Sequence, residues 1–75
     1  MMQVEYDKVA DSVYFRFKGE NVAESIEIGE GVVVDYSSNG DICGIEVLAF
    51  SKRNLDLNHL VKLRDEELVA EVATA

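Results

Sequence analysis

The chain of 75 residues has no proline and no tryptophan, and it contains one cysteine and one histidine. With one cysteine an internal disulfide is excluded, and Cys43 lies in an alternating apolar segment where a thiol usually acts as a small hydrophobic side chain. A single thiol of this kind and the lack of a recognisable signal peptide predict a cytoplasmic location. The apolar runs are all far shorter than the ~20 residues of a membrane span.

The sequence also lacks the groupings that catalysis and metal binding require. His59 has no second histidine with which to form a metal site, and no serine is placed to pair with it. Asp7 and Asp11 lack the alternating oxygen ligands and central glycine of a calcium loop, whereas aspartate is common in turns. We therefore predict that the protein is not an enzyme and has no catalytic residues, no metal and no cofactor.

Basic residues are few: seven stand against fifteen acidic ones, giving a net charge of −8. This charge repels phosphate backbones and anionic lipids, so nucleic acid and membranes are not expected as direct partners. Two interpretations remain open. The charge either only keeps a small protein soluble or attracts a basic protein partner.

The segment from residue 31 to 50 has the pattern of a β-hairpin. Asn39-Gly40 is typical of a two-residue type I′ turn, in which both central residues need positive φ. This turn predicts a register that gathers apolar residues on one face. The predicted pairs are Val32 with Val47, Val33 with Glu46, Val34 with Ile45, Asp35 with Gly44, and Tyr36 with Cys43.

Three further strands are predicted before the hairpin, at about 2–6, 12–18 and 22–28, from alternating apolar and polar residues. A turn at 18–21 predicts that the second and third strands pair, which sets Phe15 opposite Glu24. A carboxylate on the apolar face is an anomaly. Glu24 either lies at a sheet edge or bulge and reaches solvent, or it is a functional carboxylate.

After Phe50 the apolar residues recur at helical spacing, and Asp56 is a suitable N-cap. The pattern predicts one amphipathic helix at roughly 56–73, or two short helices with a break near Arg64. The helix would cover the apolar face of the sheet. We therefore predict one small α+β domain over residues 1–75, in which a five-stranded antiparallel meander at roughly 2–50 is covered on one face by the C-terminal helix.

The opposite face of the sheet is mostly polar, but the alternation also places Tyr14, Val33, Leu48 and Phe50 there. If these four lie together, they form an apolar patch suited to partner binding; if they are scattered, they need no explanation. Because a core closed by one helix is thin, we favour an interface and predict a homo-oligomer, most simply a homodimer.

Four short motifs follow one another in the first 53 residues: Tyr6-Asp7-x-x-Ala10-Asp11-x-x-Tyr14, Val22-Ala23-Glu24-Ser25, Gly31-Val32-Val33-Val34-Asp35-Tyr36 and Gly44-Ile45-Glu46-Val47-Leu48. Together they resemble a family of short prokaryotic proteins, domain of unknown function family 2283. The resemblance implies a small sheet-plus-helix domain without an established activity. It also implies an antitoxin-like role as one expectation, since some members look as though they are encoded beside small ribonuclease-like toxins.

Two functions follow as hypotheses. The first is an acidic protein-interaction module that self-associates and sequesters a basic protein as an antitoxin does. The second is a small-molecule sensor or degenerate enzyme with a pocket between sheet and helix, near Glu24 and Tyr36. A domain this small rarely leaves the roughly 300 Å³ that such a pocket needs.

Overall fold

The computed structural model describes residues 2–17, 19 and 21–75. In this part of the chain, five strands form one antiparallel sheet and two short α-helices follow it, so the predicted α+β class is confirmed. The elements are β1 (Gln3–Asp7), β2 (Ser12–Arg16), β3 (Glu24–Gly29), β4 (Val32–Tyr36), β5 (Ile42–Val47), a 3₁₀ turn (Phe50–Lys52), α1 (Leu57–Leu60) and α2 (Asp65–Ala73).

The strand order across the sheet is β1-β2-β5-β4-β3, which places β2 beside β5. The predicted pairing of β2 with β3 is therefore wrong, and the turn predicted through Lys18 and Glu20 lies outside the described residues. Phe15 stands opposite Ile45, a better apolar neighbour than the predicted Glu24. Glu24 instead lies exposed on β3, an edge strand, which confirms the explanation of the anomaly by a sheet edge.

The hairpin of β4 and β5 has the predicted register for four of its five pairs, from Val32 opposite Val47 to Asp35 opposite Gly44. The predicted pair of Tyr36 with Cys43 is wrong, because Tyr36 stands opposite Ile42. Cys43 is thus an extra residue, and the ladder is irregular at this point.

The turn of this hairpin also differs from the prediction. Ser37 N donates to Asp41 O at 2.9 Å and Gly40 N donates to Ser37 O at 2.9 Å, so the loop has three residues, from Ser38 to Gly40. Gly40 takes the positive φ, 85°, but Asn39 does not, as in a type I turn followed by a left-handed glycine. The longer loop shifts the register by one residue and the bulge at Cys43 shifts it back.

The core lies between the sheet and the helices. Leu60 of α1 and Leu68 and Val72 of α2 are fully buried, and each Leu contributes about 2–3 kcal/mol by leaving water. The sheet residues beneath them are those that alternation predicts for the apolar face: Val13, Phe15, Val32, Val34, Ile45 and Val47. The C-terminal segment therefore covers the sheet as expected.

This C-terminal helical segment is broken near Arg64, as the second of the two predicted alternatives has it. Asp56 caps α1, accepting a hydrogen bond from Asn58 N at 3.0 Å. Arg64 has extended backbone before α2, and its N–H donates to Glu67 Oε1 at 2.9 Å. A carboxylate in the first turn also interacts favourably with the helix dipole.

Candidate functional site

The sheet face opposite α1 and α2 is called the outer face below. Its side chains form two rows across the five strands, because residues paired in a sheet point to the same side. The first row is Glu5, Tyr14, Glu46, Val33 and Glu27; the second is Gln3, Arg16, Gly44, Asp35 and Ser25.

A hydrogen-bonded group occupies the middle of the outer face. Tyr14 Oη donates to Asp35 Oδ2 at 2.7 Å, and Ser25 Oγ donates to Asp35 Oδ1 at 2.6 Å. The Tyr14 ring reaches Asp35 across β5 because Gly44 has no side chain; a Cβ there would overlap the phenol. Both oxygens of the carboxylate are therefore held in place by neighbours from β2 and β3.

The surroundings of Tyr14 change its acidity. Burial, and then the hydrogen bond to Asp35 and the negative charge of Asp35, raise the pKa of Tyr14 well above 10, so the phenol stays protonated at neutral pH. The Arg16 guanidinium lies 5.1 Å from the centre of the Tyr14 ring, where a cation–π contact is favourable. Tyr14 is thus a hydrogen-bond donor and not a general base.

The charge of the outer face is mainly negative. The two rows carry four carboxylates, on Glu5, Glu27, Asp35 and Glu46, against one guanidinium on Arg16. Such a surface attracts cationic side chains and repels phosphate. Within residues 2–17, 19 and 21–75, no three His, Cys, Asp or Glu side chains are placed to hold a metal ion.

The four residues predicted to bind a partner do not form one patch. Tyr14 and Val33 lie in the same outer-face row, but Glu46 stands between them. Leu48 is exposed beyond the end of β5, where it lines a depression with Arg53. Phe50 was predicted to lie on the outer face, but it packs against the core. The prediction is wrong because Ala49 has a φ of 51°, and this left-handed residue interrupts the alternation of the strand.

The structure also places the predicted pocket residues, Glu24 and Tyr36, and the single histidine, His59. Glu24 and Tyr36 stand opposite each other and line an open depression of about 480 Å³. Its described lining comes from β3, β4 and the hairpin loop, so the predicted position between sheet and helix is wrong. His59 is a half-exposed helical residue with Nε2 3.7 Å from Glu71 Oε1, as its predicted helical position implies.

A second surface feature was not predicted at all. Apolar side chains on the helix side of the two edge strands remain exposed: Val4 by 36% and Tyr6 by 55% on β1, and Ile26 by 42% on β3. Sequence reasoning placed Ile26 in the core because alternation gives the face of a residue and not its distance from the covering helix. Asp35 and Ser25 were likewise missed, since their contacts depend on strand order.

None of the described helices is long and apolar enough to cross a membrane. The fold and the two surfaces define a small α+β domain with an open five-stranded sheet, an acidic outer face and two free edges. The model of the family described as "Protein of unknown function (DUF2283)" matches residues 3–51, and the chain belongs to this family. No curated protein and no solved structure matches the chain.

Proposed function

We propose that this protein is an acidic protein-interaction module that binds rather than catalyses, associates with itself, and takes a basic protein as its partner. The observation that carries the proposal is the exposed apolar surface of Val4, Tyr6 and Ile26 beside the two open edges of the sheet. Val4 and Tyr6 lie side by side on one edge strand and Ile26 lies on the other. Apolar side chains left in water next to unpaired strand edges are typical of protein interfaces.

The exposure follows from the dimensions of the fold. Five strands about 4.8 Å apart span roughly 19 Å between the axes of the edge strands, whereas a helix with its side chains is about 10–12 Å wide. The nine-residue α2 contacts β4 and β5, near the middle of the sheet. Val4, Tyr6 and Ile26 are therefore left in water, and a second copy or a different protein would cover them.

Charge selects the kind of partner that the outer face would accept. Its four carboxylates outnumber the guanidinium of Arg16, and the whole chain has a net charge of −8. Lysine and arginine side chains of a basic protein would find acceptors there, and the electrostatic attraction would speed their association. Sequestration of a small basic toxin in the reducing cytoplasm, the antitoxin-like role, is the form of this function that we favour.

The proposal is tested by affinity capture from the source lysate at low and high salt, with native mass spectrometry of the retained complex. We expect a basic protein at fixed stoichiometry, released by salt because screening weakens exposed charge pairs. Recovery of this chain alone, or of proteins that salt does not release, would contradict the proposed basic partner.

Two matched double substitutions test whether the partner binds the outer face. Glu5→Gln with Glu46→Gln removes two charges from the outer face, and Glu66→Gln with Glu71→Gln removes the same number from exposed positions of α2. We expect the first pair to weaken the complex and the second to leave it nearly unchanged. Equal effects from both pairs would show that overall charge, not the outer face, determines binding.

A further inference from the structure

We infer that β3 pairs with the β3 strand of a second copy of this chain, antiparallel and centred on Ile26, to form a continuous ten-stranded sheet. This inference rests on the self-association in the proposed function and specifies its edge and register. The exposed Ile26 side chains of the two copies would then meet on the helix side, and each would cover apolar surface that α2 leaves in water.

The hydrogen bonds within the sheet determine which backbone groups of β3 point outward. Leu48 N donates to Gly31 O at 2.8 Å, which makes these two residues a hydrogen-bonded pair of the β4–β5 ladder. Because the bonding direction alternates along a strand, Val34 then faces β3, and its partner Ile26 faces β4. The N–H and C=O groups of Ser25 and Glu27, on either side of Ile26, point away from the sheet.

Only three symmetric registers let Ser25 and Glu27 bond across such an edge. Centring on Glu27 sets two carboxylates opposite each other, which is destabilising. Centring on Ser25 sets Ile26 opposite Glu24 twice. Centring on Ile26 pairs Ser25 with Glu27 in four backbone hydrogen bonds, sets Ile26 against its own copy and puts no like charges opposite each other.

The other edge fits a second copy less well. Phe17 N donates to Cys43 O, and the same alternation leaves the backbone groups of Val4 and Tyr6 pointing outward from β1. Symmetric pairing about Glu5 or about Tyr6 would set carboxylates opposite each other. Pairing about Val4 would place the two Val4 residues in a hydrogen-bonded pair, where side chains lie farther apart than those of two Ile26 residues in a non-hydrogen-bonded pair. Antiparallel pairing of β1 with β3 would join the helix side of one copy to the outer face of the other, and parallel pairing of these two different edges would give an open head-to-tail array and not a closed dimer.

The side chains of the β3 edge are also already arranged for this contact. Ser25 Oγ donates to Asp35, and Glu27 Oε2 accepts from Gly31 N at 3.2 Å, so neither side chain needs to leave a partner on pairing. The irregularity of β3 begins after Glu27 and leaves the stretch Glu24–Glu27 regular. β3 lacks lysine and proline, two of the residues that commonly block edge pairing, and its other protective features, Glu24 and the bulge after Glu27, lie at the ends of the paired stretch.

Cysteine cross-linking tests the register. Across a non-hydrogen-bonded pair the Cα atoms lie about 4.5 Å apart, within the roughly 4.4–6.8 Å that a disulfide spans. Under mild oxidation, we expect Ile26→Cys to form a covalent dimer and Ser25→Cys to remain largely uncrosslinked. Wild-type protein controls for Cys43, which is buried. Efficient cross-linking of Ser25→Cys in place of Ile26→Cys would overturn the register.

Sedimentation equilibrium of lysine variants tests the edge. Ile26→Lys puts two ammonium groups opposite each other, so we expect the dimer dissociation constant to rise tenfold or more, corresponding to about 1.4 kcal/mol. Tyr6→Lys, the matched change on β1, should leave dimerisation intact. If Tyr6→Lys alone abolished the dimer, the β3 assignment would be wrong while self-association stood; a monomeric wild-type protein would overturn both. Cooperative thermal unfolding of each variant verifies that it folds.

Discussion

Replacing Gly44 with alanine should disrupt the centre of the outer face. A Cβ on Gly44 would overlap the phenol oxygen and ring of Tyr14. Because the strand backbone is held on both sides by β2 and β4, the Tyr14 side chain has to move instead. Its 2.7 Å hydrogen bond to Asp35 is then lost, while the Ser25 hydroxyl still donates to Asp35.

The size of the effect follows from these contacts. A hydrogen bond to a charged group contributes about 1.5–3 kcal/mol when buried, and less here because Tyr14 is half-buried and water replaces part of it. Alanine regains roughly 0.5 kcal/mol over glycine in a strand. The net loss should be about 1–2 kcal/mol in the free energy of unfolding, which lowers the Tm of a domain of this size by roughly 5–15 °C.

Thermal unfolding followed by circular dichroism at neutral pH measures this loss. Gly19→Ala is the control, because a Cβ there would meet nothing within 4 Å. In a Tyr14→Phe background the hydrogen bond is already absent, so Gly44→Ala should cost clearly less than in the wild-type protein. If Gly44→Ala were as stable as the wild type, or equally destabilising in both backgrounds, the proposed contact between Gly44, Tyr14 and Asp35 would be refuted.

Three further predictions concern stability. Arg53→Ala removes hydrogen bonds of 2.6 and 2.7 Å to two main-chain carbonyls and should lower the free energy of unfolding, measured in urea, by about 1–2 kcal/mol. Lys52→Ala is the control and should lower it little, so equal losses would contradict this. Asp11 has a φ of 54° and accepts hydrogen bonds from Ser51 N and Oγ. Asp11→Ala should therefore lower the free energy of unfolding by about 1–3 kcal/mol and Asp11→Asn by less, and the reverse order would count against the contact. Because the pKa of Tyr14 is raised in the folded state, its contribution to the free energy of unfolding is complete below pH 10 and is lost as the pH rises further. If Tyr14→Phe unfolded at the same alkaline pH as the wild type, this prediction would be wrong.

The sequence allowed the class, the strands and the apolar face to be predicted because these depend on local alternation. Four of the five predicted pairs between β4 and β5 were correct although the turn, and the pair nearest to it, were not. Gly40 suits either a two-residue or a three-residue loop, and the bulge at Cys43 restores the pairing that apolar residues require. Burial of the apolar face therefore determines this register, and the turn adapts to it.

Strand order and the outer-face contacts could not be predicted in the same way. Phe15 alternates equally well beside β3 or β5, and only the observed pairing with Ile45 removes the conflict with Glu24. The left-handed conformation of Ala49, which turns Phe50 toward the core, has no signal in the sequence because alanine rarely adopts it. The hydrogen bond between Tyr14 and Asp35 forms because β5 lies between β2 and β4, and local alternation does not specify this strand order.

Sedimentation equilibrium of the unmodified protein, over a wide concentration range and at low and high salt, tests the proposed self-association most directly. Each chain carries a net charge of −8, so repulsion opposes self-association and salt should relieve it. We predict a monomer–dimer equilibrium that shifts toward the dimer as salt rises, opposite to the salt dependence expected for a basic partner. A monomer under all conditions, or a dimer that salt dissociates, would contradict pairing through the β3 edge.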